Sequence, residues 1–162
     1  MLKKWLKNKK EVTLVAPITG KVIPLEQVED PVFANKMAGD GLAIVPEQGV
    51  VVAPVDATVA HLFETKHAIG LQTKGGLEIL IHIGLDTVNL KGEGFEAFVQ
   101  LGDQVKQGQK LLGFDMEVIR NANYSTSTPV VITNGEVVAE QKVLAEGNVQ
   151  AGEDKVLHIL LK

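Results

Sequence analysis

The chain has 162 residues, 45% of them hydrophobic and 22% charged, with a formal net charge of −4. That size and balance suit one folded domain with a sizeable core and exclude a wholly disordered chain. The acidic balance argues against a nucleic-acid partner, and the absence of cysteine excludes disulfides, thiolate nucleophiles and Cys-based zinc sites.

In chain order, residues 1–10 (MLKKWLKNKK) stand apart as a basic segment. Five lysines surround Leu2, Trp5 and Leu6, whose spacing sets them on one helical face. The segment lacks the apolar core of a secretory signal. Two readings stay open: a solvated, flexible terminus, and a short amphipathic anchor in weak contact with an anionic membrane. No later run approaches the roughly 20 apolar residues that span a bilayer, so a cytoplasmic location is expected.

Residues 11–162 read as a single all-β domain. Short apolar runs rich in Val and Ile recur at 12–16, 42–45, 50–53, 58–63, 77–83, 110–114, 130–133 and 155–161, separated by Gly, Pro, Asp and Asn. That pattern predicts many short strands. One helix is expected over 115–122, with Asp115 as N-cap and Met116, Val118 and Ile119 turned inward. A weak echo links 16–22 (APITGKV) to 53–59 (APVDATV), and 102–108 (GDQVKQG) to 147–152 (GNVQAG) with a one-residue gap. Two related halves around one core would explain it. The expected architecture is an antiparallel β-sandwich or flattened barrel with short helical segments.

Chemistry must centre on histidine or carboxylates, because no P-loop, HExxH or GxSxG pattern is present. His82 ends an apolar, strand-like run and is followed by Gly84, Asp86 and Thr87. An imidazole among apolar neighbours is costly unless its nitrogens find partners. It reads either as a satisfied core histidine or as a reactive group at a surface depression beside a glycine. His67 lies in a tight connection, with Thr65 two residues before it. On an extended segment both side chains would share a face, and the hydroxyl could fix the imidazole tautomer. The alternative is a loop histidine that caps a turn. His61 and His158 lie among alternating apolar positions and read as structural.

At His67 and His82 together, the sequence resembles the glucose-class IIA proteins of the phosphoenolpyruvate-dependent sugar phosphotransferase system. Residues 76–88 fit the family's active-site signature: Gly76, three apolar residues, His82, Ile83, Gly84, Leu85, Thr87 and Val88. Residues 63–68 fit the second histidine motif, and 34–41, 91–95 and 128–131 fit further family segments. Lys66 departs from it, standing where some relatives carry Asn and placing a cation beside the site.

The resemblance implies a β-sandwich phosphocarrier. His82 would take a phosphoryl group on Nε2 from phospho-HPr and pass it to the cysteine of a IIB domain of a sugar permease. His67 would stabilise the phosphoryl oxygens and Thr65 would orient His67. Asp30 and Asp86 fall on acidic positions near the site, and Phe33, Ala38 and Val88 on an apolar partner surface. No cofactor is required; zinc could bridge His67 and His82 in complexes where a partner supplies a further ligand, and regulatory partners are possible. A metal-binding module and a carbohydrate-binding module are the competing classes. Two histidines make an incomplete metal site, and an aromatic content of 4% gives little stacking surface for sugar.

Overall fold

The computed structural model describes residues 10–162, so the reading of the basic start lies, Lys10 aside, outside the described residues. The first seven strands are β1 (Glu11–Val15), β2 (Gly20–Pro24), β3 (Asp40–Pro46), β4 (Val50–Val52), β5 (Ala57–Leu62), β6 (Ala68–Gln72) and β7 (Glu78–His82). The next seven are β8 (Phe95–Ala97), β9 (Gln104–Val105), β10 (Lys110–Phe114), β11 (Thr128–Ile132), β12 (Val138–Val143), β13 (Gly147–Val149) and β14 (Lys155–Leu161). Eight form one antiparallel sheet in the order β13-β2-β3-β11-β7-β6-β5-β9. Two three-stranded sheets, β1-β14-β12 and β4-β10-β8, accompany it. The large sheet ends at β13 and β9 and does not close, so the sandwich describes the fold and the flattened barrel does not.

The weak sequence echo marks a real duplication. Exchanging β1, β2 and β3 with β4, β5 and β6, and β7 to β10 with β11 to β14, maps every sheet order onto itself. The matching extends to single bonds. Val15 N–H donates to Pro54 O (2.9 Å) and Val52 N–H to Pro17 O (2.8 Å). Gly152 N–H donates to Ala16 O and Gly108 N–H to Ala53 O, both at 2.8 Å. Thr19 Oγ1 accepts from Ala151 N–H (3.0 Å) where Asp56 Oδ1 accepts from Gln107 N–H (2.8 Å). The axis passes between Ile81 and Val130, which are paired at the centre of the large sheet.

Side chains alternate across that sheet with the period of two that strands impose. Ile79 and Ile81 of β7 enter the main core with Leu14, Ile44, Val130 and Leu157. Leu80 faces the other way, onto a smaller cluster of Leu25, Val28, Phe33, Ala43, Leu85 and Val131. This second cluster lies beneath the site.

The sequence pattern expects one helix over 115–122; the described residues hold two α-helices and three short 3-10 turns. Helix α2 (Met116–Asn121) matches the expectation: Asp115 caps it by accepting from Glu117 N–H, Ile119 is buried, and Met116 and Val118 are partly so. Helix α1 (Pro31–Ala34) is the addition, capped by Asp30, which accepts from Val32 N–H, with Pro31 in its first turn. Four residues are too few to show a helical period. Strands β8, β9, β12 and β13 also escape the pattern, since they are two or three residues long or, in β12, largely exposed.

Candidate active site

Strand β7 delivers His82 at its C-terminal end, on the face opposite the main core. Strand β6 runs antiparallel beside it, with Ala68 paired to His82. His67, one residue earlier, is therefore next to His82, and its carbonyl accepts from Ile83 N–H at 2.7 Å. The two rings meet edge to face, centroids 5.0 Å apart and planes at 84°.

Thr65 reaches His67, although not along an extended segment. Lys66 between them adopts φ +59° and closes a turn in which its N–H donates to Phe63 O at 2.8 Å. The turn brings Thr65 Oγ1 to 2.5 Å from His67 Nδ1. Lys66 itself is exposed.

The tautomer of His82 follows from its partner. Its Nδ1 lies 2.8 Å from Gly84 O. A carbonyl oxygen only accepts, so in the neutral ring Nδ1 carries the proton and Nε2 keeps its lone pair. Burial lowers the pKa of His82, against the raising effects of the Gly84 bond and of the carboxylates of Asp30 and Asp86. His67 is only 3% exposed. Burial first, and His82 second, lower its pKa from 6.5 to about 4. Both rings are thus neutral at pH 7.

Aromatic rings frame the pair. Phe33 packs on His82 with centroids 5.0 Å apart, and Phe63 on His67 at 5.2 Å. Phe33 is 6% exposed, so nearly all of its surface is used within the protein. The rim's exposed apolar surface comes instead from Val88 and from Val32 and Met37, with Ala38 partly buried. Val32 lies on α1 and Met37 in the turn after it, and a lone apolar residue outside a periodic run carries no signal in the sequence. His61 stands apart from the pair, with its ring edge against Phe63 at 4.4 Å. His158 lies elsewhere, 4.0 Å from a carboxylate oxygen of Glu11. Among the described residues no three His, Cys, Asp or Glu side chains are grouped to hold a metal ion. The histidine pair supplies two donors, and a closed zinc site takes four.

The model of the family "phosphoenolpyruvate-dependent sugar phosphotransferase system, EIIA 1" matches residues 12–138, an interval containing both histidines and strands β6 and β7. The chain belongs to this family. The PTS system glucose-specific EIIA component of Oceanobacillus iheyensis is 52% identical over 151 residues, covering 93% of this chain and 92% of that protein. That of Bacillus anthracis is 51% identical over 152 residues, covering 94% and 92%. Among solved structures, the glucose permease IIA from Mycoplasma capricolum superposes with a TM-score of 0.84 at 40% identity, covering 92% of this chain and 96% of that one. As an EIIA component, the chain is a phosphocarrier of the sugar phosphotransferase system, a family whose general role is transfer from phospho-HPr to IIB. No helix among the described residues of this EIIA is long and apolar enough to cross a membrane.

Proposed function

We propose that His82 is the phosphoryl acceptor of this EIIA component and that its donor and acceptor partners are HPr and the IIB domain of a glucose-type permease. The observation that carries the assignment is the bond from His82 Nδ1 to Gly84 O, which leaves Nε2 as a neutral nucleophile. The N–P bond of phospho-HPr breaks as the Nε2–P bond forms. In the second transfer that bond breaks as an S–P bond forms at the IIB cysteine, taken as thiolate.

His67 has the complementary tautomer. Thr65 Oγ1 bonds His67 Nδ1; with the hydroxyl as donor in this role, the ring proton lies on Nε2 and is available to a phosphoryl oxygen. A neutral donor suits a group that must bind phosphate without holding it irreversibly. Phosphoryl transfer depends mainly on positioning and on stabilising charge at the oxygens. The two histidines and their fixed partners supply both, and no resident metal is invoked. The apolar rim of Val32, Met37 and Val88 is the docking surface, and it excludes water from a labile N–P bond while transfer proceeds.

The test is phosphorylation by radiolabelled phosphoenolpyruvate with enzyme I and HPr. Wild type takes up acid-labile label, and His82→Gln takes up none. His67→Gln accepts label but fails to pass it to IIB. Unlabelled wild type, or a labelled His82→Gln variant, overturns the assignment.

A further inference from the structure

Thr87 and Thr128 lie in segments that match the family, yet neither has a part in the chemistry so far. Both are fully buried. Their hydroxyls meet at one peptide group. Thr87 Oγ1 donates to Ile83 O at 2.5 Å. Thr128 Oγ1 accepts from Gly84 N–H at 3.4 Å and donates its own proton to Thr126 O at 3.0 Å. Ile83 O and Gly84 N–H are the two ends of a single peptide plane, so one threonine holds each end.

The next peptide is held as well. Leu85 N–H donates to Ser125 O at 3.1 Å, and Gly84 O at its other end accepts from His82 Nδ1. The carbonyl that sets the ring tautomer therefore belongs to a backbone segment gripped from the β11 side and from the turn after it. There is no room for this segment to shift inward. A Cβ on Gly84 would lie 2.6 Å from Thr87 Cγ2 and 2.7 Å from Ser125 O.

We infer that Thr87 and Thr128 are positioning residues: their hydroxyls orient the Ile83–Gly84 peptide, so that Gly84 O receives the His82 Nδ1 proton and Nε2 faces the incoming phosphoryl group. The inference rests on the reading of His82 as acceptor. Two buried hydroxyls at the ends of one peptide act like the outer partners that orient a ligating or reacting histidine elsewhere. Without Thr87 Oγ1, the Ile83 carbonyl is buried without that donor, and the plane is held only by the longer bond at its Gly84 end.

The test compares Thr87→Val, which keeps shape and loses the hydroxyl, with Thr87→Ser, which keeps the hydroxyl. The readouts are the ¹⁵N chemical shifts of the His82 ring in the unphosphorylated protein and the initial rate of phosphoryl acceptance from phospho-HPr. Thr87→Val is expected to move ring proton population from Nδ1 to Nε2 and to slow acceptance by on the order of 10- to 100-fold, as misplacement of a reacting group does. Thr87→Ser is expected to restore both. Thr128→Val, which removes the longer bond, gives a smaller change in the same direction and serves if Thr87→Val does not fold. Folded valine variants with wild-type ring shifts and wild-type rate overturn the inference. The ring shifts are read without phosphate, so failure of the acceptor assignment, seen as unlabelled wild type, is a separate outcome.

Discussion

Ala68 on β6 is paired with His82 on β7, and this one register pair places the His67 ring against the His82 ring. A slip of one residue would turn His82 into the main core and carry Ile81 to the outer face, because side chains alternate along a strand. The site is thus a product of register.

Stability should fall in acid because of His67. Its folded pKa of about 4 lies below the ordinary 6.5. Between those values the unfolded chain binds more protons than the folded one, so stability decreases as pH drops from 6.5 to 4 and the decrease levels off below. The loss is on the order of 3 kcal/mol from His67, and His82, also lowered, adds to it in the same direction. Urea denaturation from pH 7 to pH 4 reads this directly. His67→Gln should flatten the profile, and an unchanged slope would show that the proton uptake lies elsewhere.

Gly84→Ala should damage both stability and transfer. The residue has φ +69°, and the added carbon would collide with Thr87 and Ser125. The left-handed conformation alone costs about 1–2 kcal/mol for an alanine, and the collision adds to that. The denaturation midpoint and the labelling rate should drop together. A midpoint equal to wild type would mean that the turn relaxes freely.

Asp30 has two separable roles. Its side chain caps α1, and its charge raises the pKa of His82. Asp30→Ala should lose about 1 kcal/mol with the cap. Asp30→Asn should keep the cap and still lower the His82 pKa, as followed by NMR titration. Equal stability losses in the two variants would contradict the separation.

Asp86 sits at φ +59°, a conformation that Asn also tolerates. Asp86→Asn should therefore fold normally while removing a carboxylate whose charge raises the His82 pKa. Removing a negative charge near the phosphoryl group should favour the phosphorylated protein in the equilibrium with HPr. Quantifying labelled HPr and labelled EIIA at equilibrium measures the effect, and an unchanged ratio would leave Asp86 without this role.

Local patterns along the chain are enough to specify the class of the fold and the location of the chemistry. Val- and Ile-rich runs punctuated by Gly, Pro and Asp specify short strands, and a polar imidazole at the end of such a run stands out locally. The two histidine motifs and the weak echo between 16–22 and 53–59 were legible because they are contiguous in the chain. The remaining features arise from long-range packing. It set the register that joins His67 to His82, the carbonyl that assigns the His82 tautomer, and the packing that buries Phe33 while leaving Val32 and Met37 exposed. It also brought Thr128 to a peptide 44 residues away. Each of these depends on which distant segments share a face or a bond. Local alternation fixes which side chains share a face of one strand, but the choice of neighbouring strand and its register is made only when the whole core packs.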